Sequence, residues 1–140
     1  MKGIEKQDSL FSADASGGIS FYMNLKNNRV MDSNVFPKAE VFSFAGSVAY
    51  ADGAIVSKTV LKQETGNVSL FAFDKGEALS EHTAPFDALI QVVDGVAEIT
   101  IDGKPYRVES GESIIMPADV PHAVRSVERF KMVLTMIKRA

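Results

Sequence analysis

From Gly76 onward the chain alternates short apolar runs with turn signals. Residues 86–93 end at Asp94-Gly95, residues 96–101 at Asp102-Gly103, and residues 104–108 at Ser110-Gly111. Asp-Gly between apolar runs predicts a hairpin, because a two-residue type I′ turn needs positive φ at both central positions. Residues 112–116 stop at Pro117, and residues 122–127 and 130–137 complete the series. In the last of these, Phe130, Met132, Leu134 and Met136 share one face. Upstream, residues 55–61 and 68–73 have strand composition, with 64–67 as the loop between them. Residues 19–25 fit a further short strand, followed by a turn over 26–29. Residues 41–51 are ambiguous: Ser43 is placed to cap a short helix carrying Phe44, Val48 and Ala49. Eight to ten short strands with little helix predict an all-β sandwich or barrel. No fixed repeat supports a solenoid.

Side chains of a strand point alternately to its two faces. Extended backbone over 81–93 puts His82, Ala84, Phe86, Ala88, Ile90 and Val92 together, all apolar but the histidine. The other face holds Glu81, Thr83, Pro85, Asp87, Leu89, Gln91 and Val93, so the first set faces inward. His122 shares a face with Val124 and Ser126, opposite Arg125, and is expected to point inward as well. Glu98 lies opposite the core set Ala97, Ile99 and Ile101 and is expected to point out. Both histidines of the chain are thus expected inside one barrel. Two interior imidazoles are costly to bury without partners, which favours a shared pocket holding water or ligand.

Composition narrows the partners more than the chemistry. The 140 residues suit one domain, with 46% hydrophobic and 24% charged residues. A net charge of −3 without a Lys/Arg block makes nucleic acid and anionic membrane poor partners. The absence of cysteine excludes disulfides, thiolate zinc sites and a thiol nucleophile. The first 18 residues are rich in Ser, Asp, Gly and Lys, lack a signal-peptide core and read as an irregular arm. No apolar run nears the ~20 residues of a membrane helix, so a cytoplasmic protein is the default expectation.

The region from Gly76 to Ser126 resembles the cupin superfamily of jelly-roll barrels, also called double-stranded β-helix folds. The first cupin motif runs Gly, five residues, His-x-His, three or four residues, Glu, six residues, Gly; Gly76, His82 and Gly95 fit it. The second runs Gly, five residues, Pro-x-Gly, two residues, His, three residues, Asn; Gly111, Pro117 and His122 fit it. The resemblance implies a cupin-like barrel over residues 38–140, an N-terminal extension over 1–37 with room for one strand, and a homodimer. Apolar residues on both strand faces, Leu89 and Val93 opposite Ile90 and Val92, agree with a covered second face.

The departures bear on function. Ala84 stands where the family has its second histidine, Ala88 where it has glutamate, Asp119 for the second motif's glycine and Ser126 for its asparagine. The usual three-His, one-Glu metal set is therefore reduced to His82 and His122. The expected pocket comprises His82, Ala84, Phe86, Ala88, Ile90, Met116, His122 and Met132. Two functions follow: a cupin that binds a small, partly apolar molecule between two histidine anchors without a tightly held metal, or a metal-dependent dioxygenase or isomerase. In the second, His82 and His122 would hold Fe, Mn, Ni or Zn with water or substrate completing the shell.

Overall fold

The computed structural model describes residues 36–138 and the backbone of two short strands before them, β1 (Met23–Asn24) and β2 (Arg29–Val30), which pair antiparallel. The expected arm and most of the strand expected over 19–25 lie outside the described residues. The barrel is built from β3 (Ile55–Gln63), β4 (Gly66–Phe73), β5 (Ala78–His82), β6 (Ala88–Ile101), β7 (Lys104–Glu109), β8 (Ser113–Met116), β9 (His122–Arg125) and β10 (Phe130–Ile137). All pairings are antiparallel, in the order β3-β4-β10-β6-β9-β5, with β7 and β8 also pairing with β6. The described residues form no helix, hence none long and apolar enough to cross a membrane. The all-β jelly-roll expectation holds.

Strand β6 organises the barrel. Its first half pairs with β10 and β8, its second with β7 and β9, so one strand belongs to both walls. The sequence pattern predicted two strands separated by a hairpin at Asp94-Gly95; instead the strand runs through. Opposite Lys131 and Met132 the register passes from Asp94 to Val92, leaving Val93 as an extra, bulged residue. Gly95 has φ +74°, and a Cβ there would overlap the carbonyl oxygen of Arg129. Positive φ and close backbone approach both require glycine, but here they serve a bulge, not a turn. The bulge also switches parity: Ala88, Ile90 and Val92 face the core before it, Ala97 and Ile99 after it. Asp102-Gly103, with φ of 51° and 80°, does form the expected turn, joining the partners Ile101 and Lys104.

Two apolar clusters stabilise the sheets. Inside lie Phe71, Phe73, Ile90, Ile99, Phe130 and Leu134, with Phe73 stacked on Phe130 at 4.4 Å. Full burial of each such side chain contributes roughly 1.5–3 kcal/mol. Outside, residues 36–51 lie over Val56, Leu70, Ala72, Val133 and Val93 through Phe36, Phe44, Val48 and Tyr50. Val93 is thus covered by its own chain and no longer argues for a partner subunit. The expected short helix here is instead a turn. Ser43 Oγ accepts from the Gly46 amide at 2.9 Å and its carbonyl from Ser47 Oγ at 2.6 Å, closing a local loop in place of a helix cap. The segment is fastened by Tyr50 Oη donating to Asp94 at 2.5 Å and by Lys131 Nζ and Lys58 Nζ donating to the carbonyls of Ala45 and Ser47. The β3–β4 connection is also tighter than expected, with only Glu64 and Thr65 in the turn.

Candidate functional site

Strand register brings the two histidines together. His82 ends β5, His122 begins β9, and they are direct cross-strand partners. Leu79 pairs with Val124, two positions beyond His122 on β9, yet His82 lies three positions beyond Leu79 on β5. Without that extra residue, Glu81 would share the inward face of Leu79. The irregularity turns His82 in and leaves Glu81 exposed. The rings meet edge to face, with centroids 4.5 Å apart and planes at 72°.

The loop before His122 is held from several sides. The Ala118 amide donates to Asp87 Oδ1 at 2.8 Å, the Asp119 amide to the Ala84 carbonyl at 2.7 Å, and the Asp102 amide to the Pro121 carbonyl at 2.8 Å. Asp119 has φ +63°, which explains the family's preference for glycine there; aspartate tolerates this region better than most side chains. Ser126, at the family's asparagine position, is buried and donates from Oγ to the Glu128 carbonyl at 2.5 Å.

Both rings are fixed in tautomer. His82 Nδ1 lies 2.8 Å from the Ser80 carbonyl oxygen, and His122 Nδ1 lies 3.1 Å from that of Val120. A carbonyl can only accept, so Nδ1 carries the proton in each, and in the neutral ring the lone pair falls on Nε2. Burial, then the neighbouring His82, push His122 down to about 4 against the opposing hydrogen bond to Val120. His122, only 4% exposed, is therefore neutral at physiological pH.

The two rings open on a cavity inside the barrel, with space of about 20 Å³ for the centres of water-sized molecules. That is room for one or two waters. Ala84, Ala88, Ile90, Met116 and Met132 line it. Register explains the grouping: Ala88 lies between Met116 and Met136, and Ile90 pairs with Leu134. Val124, Leu134 and Met136 complete the wall. They were legible as companions of His122 and Met132 but were not singled out. Phe86 departs from expectation: it is buried in the core but lines an outer groove with Leu89 and Ile115, not the cavity. Residues 83–87 are not strand, so alternation does not carry its direction through that stretch.

The residues present do not complete the family's usual metal centre. Glu81 and Asp87 are exposed, and Asp87 is engaged with Ala118. Glu98 meets Arg125 at 3.0 Å on the outer surface. Among the described residues no three His, Cys, Asp or Glu side chains gather as a metal site.

A curled antiparallel barrel with a paired-histidine pocket defines a small double-stranded β-helix protein. The chain belongs to the cupin family: residues 69–138 match the cupin domain. The conserved SPY1581 protein of unknown function from Streptococcus pyogenes superposes with a TM-score of 0.73 at 36% identity, covering 76% of this chain and 94% of that one. A cupin 2 conserved barrel domain protein from Leptotrichia buccalis gives 0.67 at 44% identity, covering 69% of this chain and 47% of that one. Protein SchB of Streptomyces halstedii is 27% identical over 74 residues, 52% of this chain and 54% of SchB. The chain spans about half the length of the curated relatives it matches. As a cupin, it falls within small-molecule-binding or metal-dependent function.

Proposed function

We propose that this cupin binds a compact, largely apolar molecule in its barrel, anchored by His82 and His122 and without a tightly held metal. The observation that carries the reading is the pair of imidazoles in contact, each with Nδ1 committed to a backbone carbonyl, in a cavity otherwise lined by Ala, Ile, Val, Leu and Met. Ala84 and Ala88, at the positions where the family carries metal ligands, leave an apolar wall. Three of the lining residues are methionines, whose unbranched side chains reshape a pocket readily. A ligand larger than water enters by displacing Met116, Met132 or Met136.

A second reading is a metal-dependent enzyme whose metal is held by the same two histidines and completed by water or substrate. What favours it is the Nδ1–carbonyl hydrogen bond on each ring, which is also how a metal-ligating histidine is oriented. Elemental analysis separates the two. Untagged protein, incubated with excess Fe, Mn, Ni or Zn and desalted, is compared with the His82→Ala/His122→Ala variant. Far less than one metal per chain in both is expected. Near-stoichiometric metal that disappears in the variant overturns the metal-free reading.

The homodimer is part of the same proposal. Its support is an outer surface where exposed Leu61 and Ile137 line one groove and Ile137 and Ile115 the next. Sedimentation equilibrium tests it: a dimer is expected, weakened by Ile115→Lys, and a monomer at high micromolar concentration overturns it.

A further inference from the structure

We infer that the barrel holds a second recognition point, Asn67 on β4, which selects ligands that bring an O–H or N–H donor past Met136. The inference rests on the small-molecule reading above and places the far end of that ligand. It starts from an unsatisfied atom. Asn67 is 5% exposed, and its Oδ1 is, among the described residues, the one buried side-chain oxygen or nitrogen without a hydrogen-bond partner. Its register partner on β3, Lys62, is exposed, and its register partner on β10, Met136, has no N–H or O–H in its side chain. A buried acceptor left unpaired costs stability, and strand propensity does not favour asparagine either. An apolar side chain would serve the fold better at this position, so the amide works against stability, as residues placed for a ligand do.

Register gives the direction of the amide. Residues directly opposite on paired strands put their side chains on the same face. Asn67 pairs with Met136, Ser69 with Leu134 and Phe71 with Met132, without a shift between them. Met132, Leu134 and Met136 line the histidine cavity, so Asn67 and Ser69 face the barrel interior one strand further on, about 5 Å away. Ser57, opposite Phe71 on β3, is buried on the same face. The inner wall thus changes from apolar on β6 and β10 to polar on β4 and β3, with Met136 at the border. An unbranched methionine swings aside readily. When Met136 does so, the cavity and the amide oxygen join into one site. A ligand there lays an apolar body against Leu134 and Met136 and carries its donor at the β4 end. A carboxamide does not titrate, so this selection does not depend on the charge of either imidazole.

The test uses two isomers of equal composition, pentan-1-ol and butyl methyl ether, of which only the alcohol can donate. Each is titrated into protein with ¹³C-labelled methionine methyls and ¹⁵N-labelled side-chain amides, read by NMR. The Asn67 amide signal is assigned by its loss in Asn67→Leu. The alcohol is expected to shift both the Met136 methyl and the Asn67 amide. It should bind at least about tenfold more tightly than the ether after correction for partition from water. Asn67→Leu and Asn67→Val should each abolish that preference and raise the urea midpoint of the ligand-free protein, since they remove an unpaired buried acceptor. Equal corrected affinities in the wild-type protein overturn the inference while leaving the pocket reading intact. So does a bound alcohol that leaves the Asn67 amide unmoved, a preference that survives both variants, or a midpoint lowered in both. Failure of both isomers to shift the Met136 methyl at concentrations on the order of 10 mM overturns the pocket reading and the inference with it. The isomer comparison stands on the wild-type protein alone, so a variant that fails to fold does not blunt it.

Discussion

Burying a neutral imidazole makes stability depend on pH in a defined window. His122 has its pKa lowered from 6.5 to about 4 in the folded protein. As pH falls through 6.5 the unfolded chain takes up a proton at this residue, while the folded chain does so only near 4. Between these values the unfolded state binds more protons, so stability falls with falling pH. Above 6.5 the contribution is fully present; below 4 it is gone. A difference of about 2.5 in pKa, at about 1.36 kcal/mol for each, sets an upper bound of about 3 kcal/mol. The assay is urea unfolding at half-unit steps from pH 4 to 7.5, for wild-type protein and His122→Leu, which is similar in bulk and cannot titrate. Carboxylates elsewhere in the chain also respond to acid, so the informative quantity is the difference between the two curves. Asp74 falls in another window. Burial alone would raise it, but hydrogen bonds from the Gly53 amide, Arg129 and the Lys75 amide outweigh burial and hold it below 3.8, so its contribution is lost only at more acid pH. Wild type should lose on the order of 2–3 kcal/mol more than the variant between pH 6.5 and 4. Parallel curves would refute the claim that His122 is buried neutral.

Gly95→Ala should destabilise by more than about 2 kcal/mol, because positive φ and the Arg129 carbonyl both oppose a side chain there; thermal unfolding reads this. Asp87→Ala removes the acceptor for the Ala118 amide and should cost about 0.5–1.5 kcal/mol, with faster hydrogen exchange confined to the loop over 117–121. The double variant Ala84→His/Ala88→Glu returns the family's ligands to positions that already line the cavity. It is expected to hold near one metal per chain by elemental analysis, at some cost in stability from overpacking.

The parts of the fold that were legible in sequence are those set by side-chain polarity at period two. Ala84, Ala88, Ile90 and Val92 are all buried, and Leu89, Gln91 and Val93 are not. Errors arose where a distant contact decides. Asp94-Gly95 and Asp102-Gly103 are identical dipeptides, yet only the second turns, because the first lies beneath the Arg129 carbonyl at the start of β10. Ser43 caps no helix, because Phe44, Val48, Tyr50 and Ala51 spend their side chains on the outer face of the sheet. Asp87 was legible as an outward carboxylate, but its partner Ala118 lies 31 residues away and nothing local announces it. The histidines were legible as inward residues at cupin spacing. Their tautomers were not, since these depend on where the carbonyls of residues 80 and 120 come to rest.

That tautomeric state is the central claim, and long-range ¹H–¹⁵N correlation at neutral pH measures it directly. With only two histidines in the chain, four ring nitrogens carry the whole signal. The account predicts His122 as a neutral ring with a protonated Nδ1 and a bare Nε2, and Nδ1 protonated in His82 as well. A protonated Nε2 on a neutral His122, or a charged His122 ring at pH 7, would contradict it.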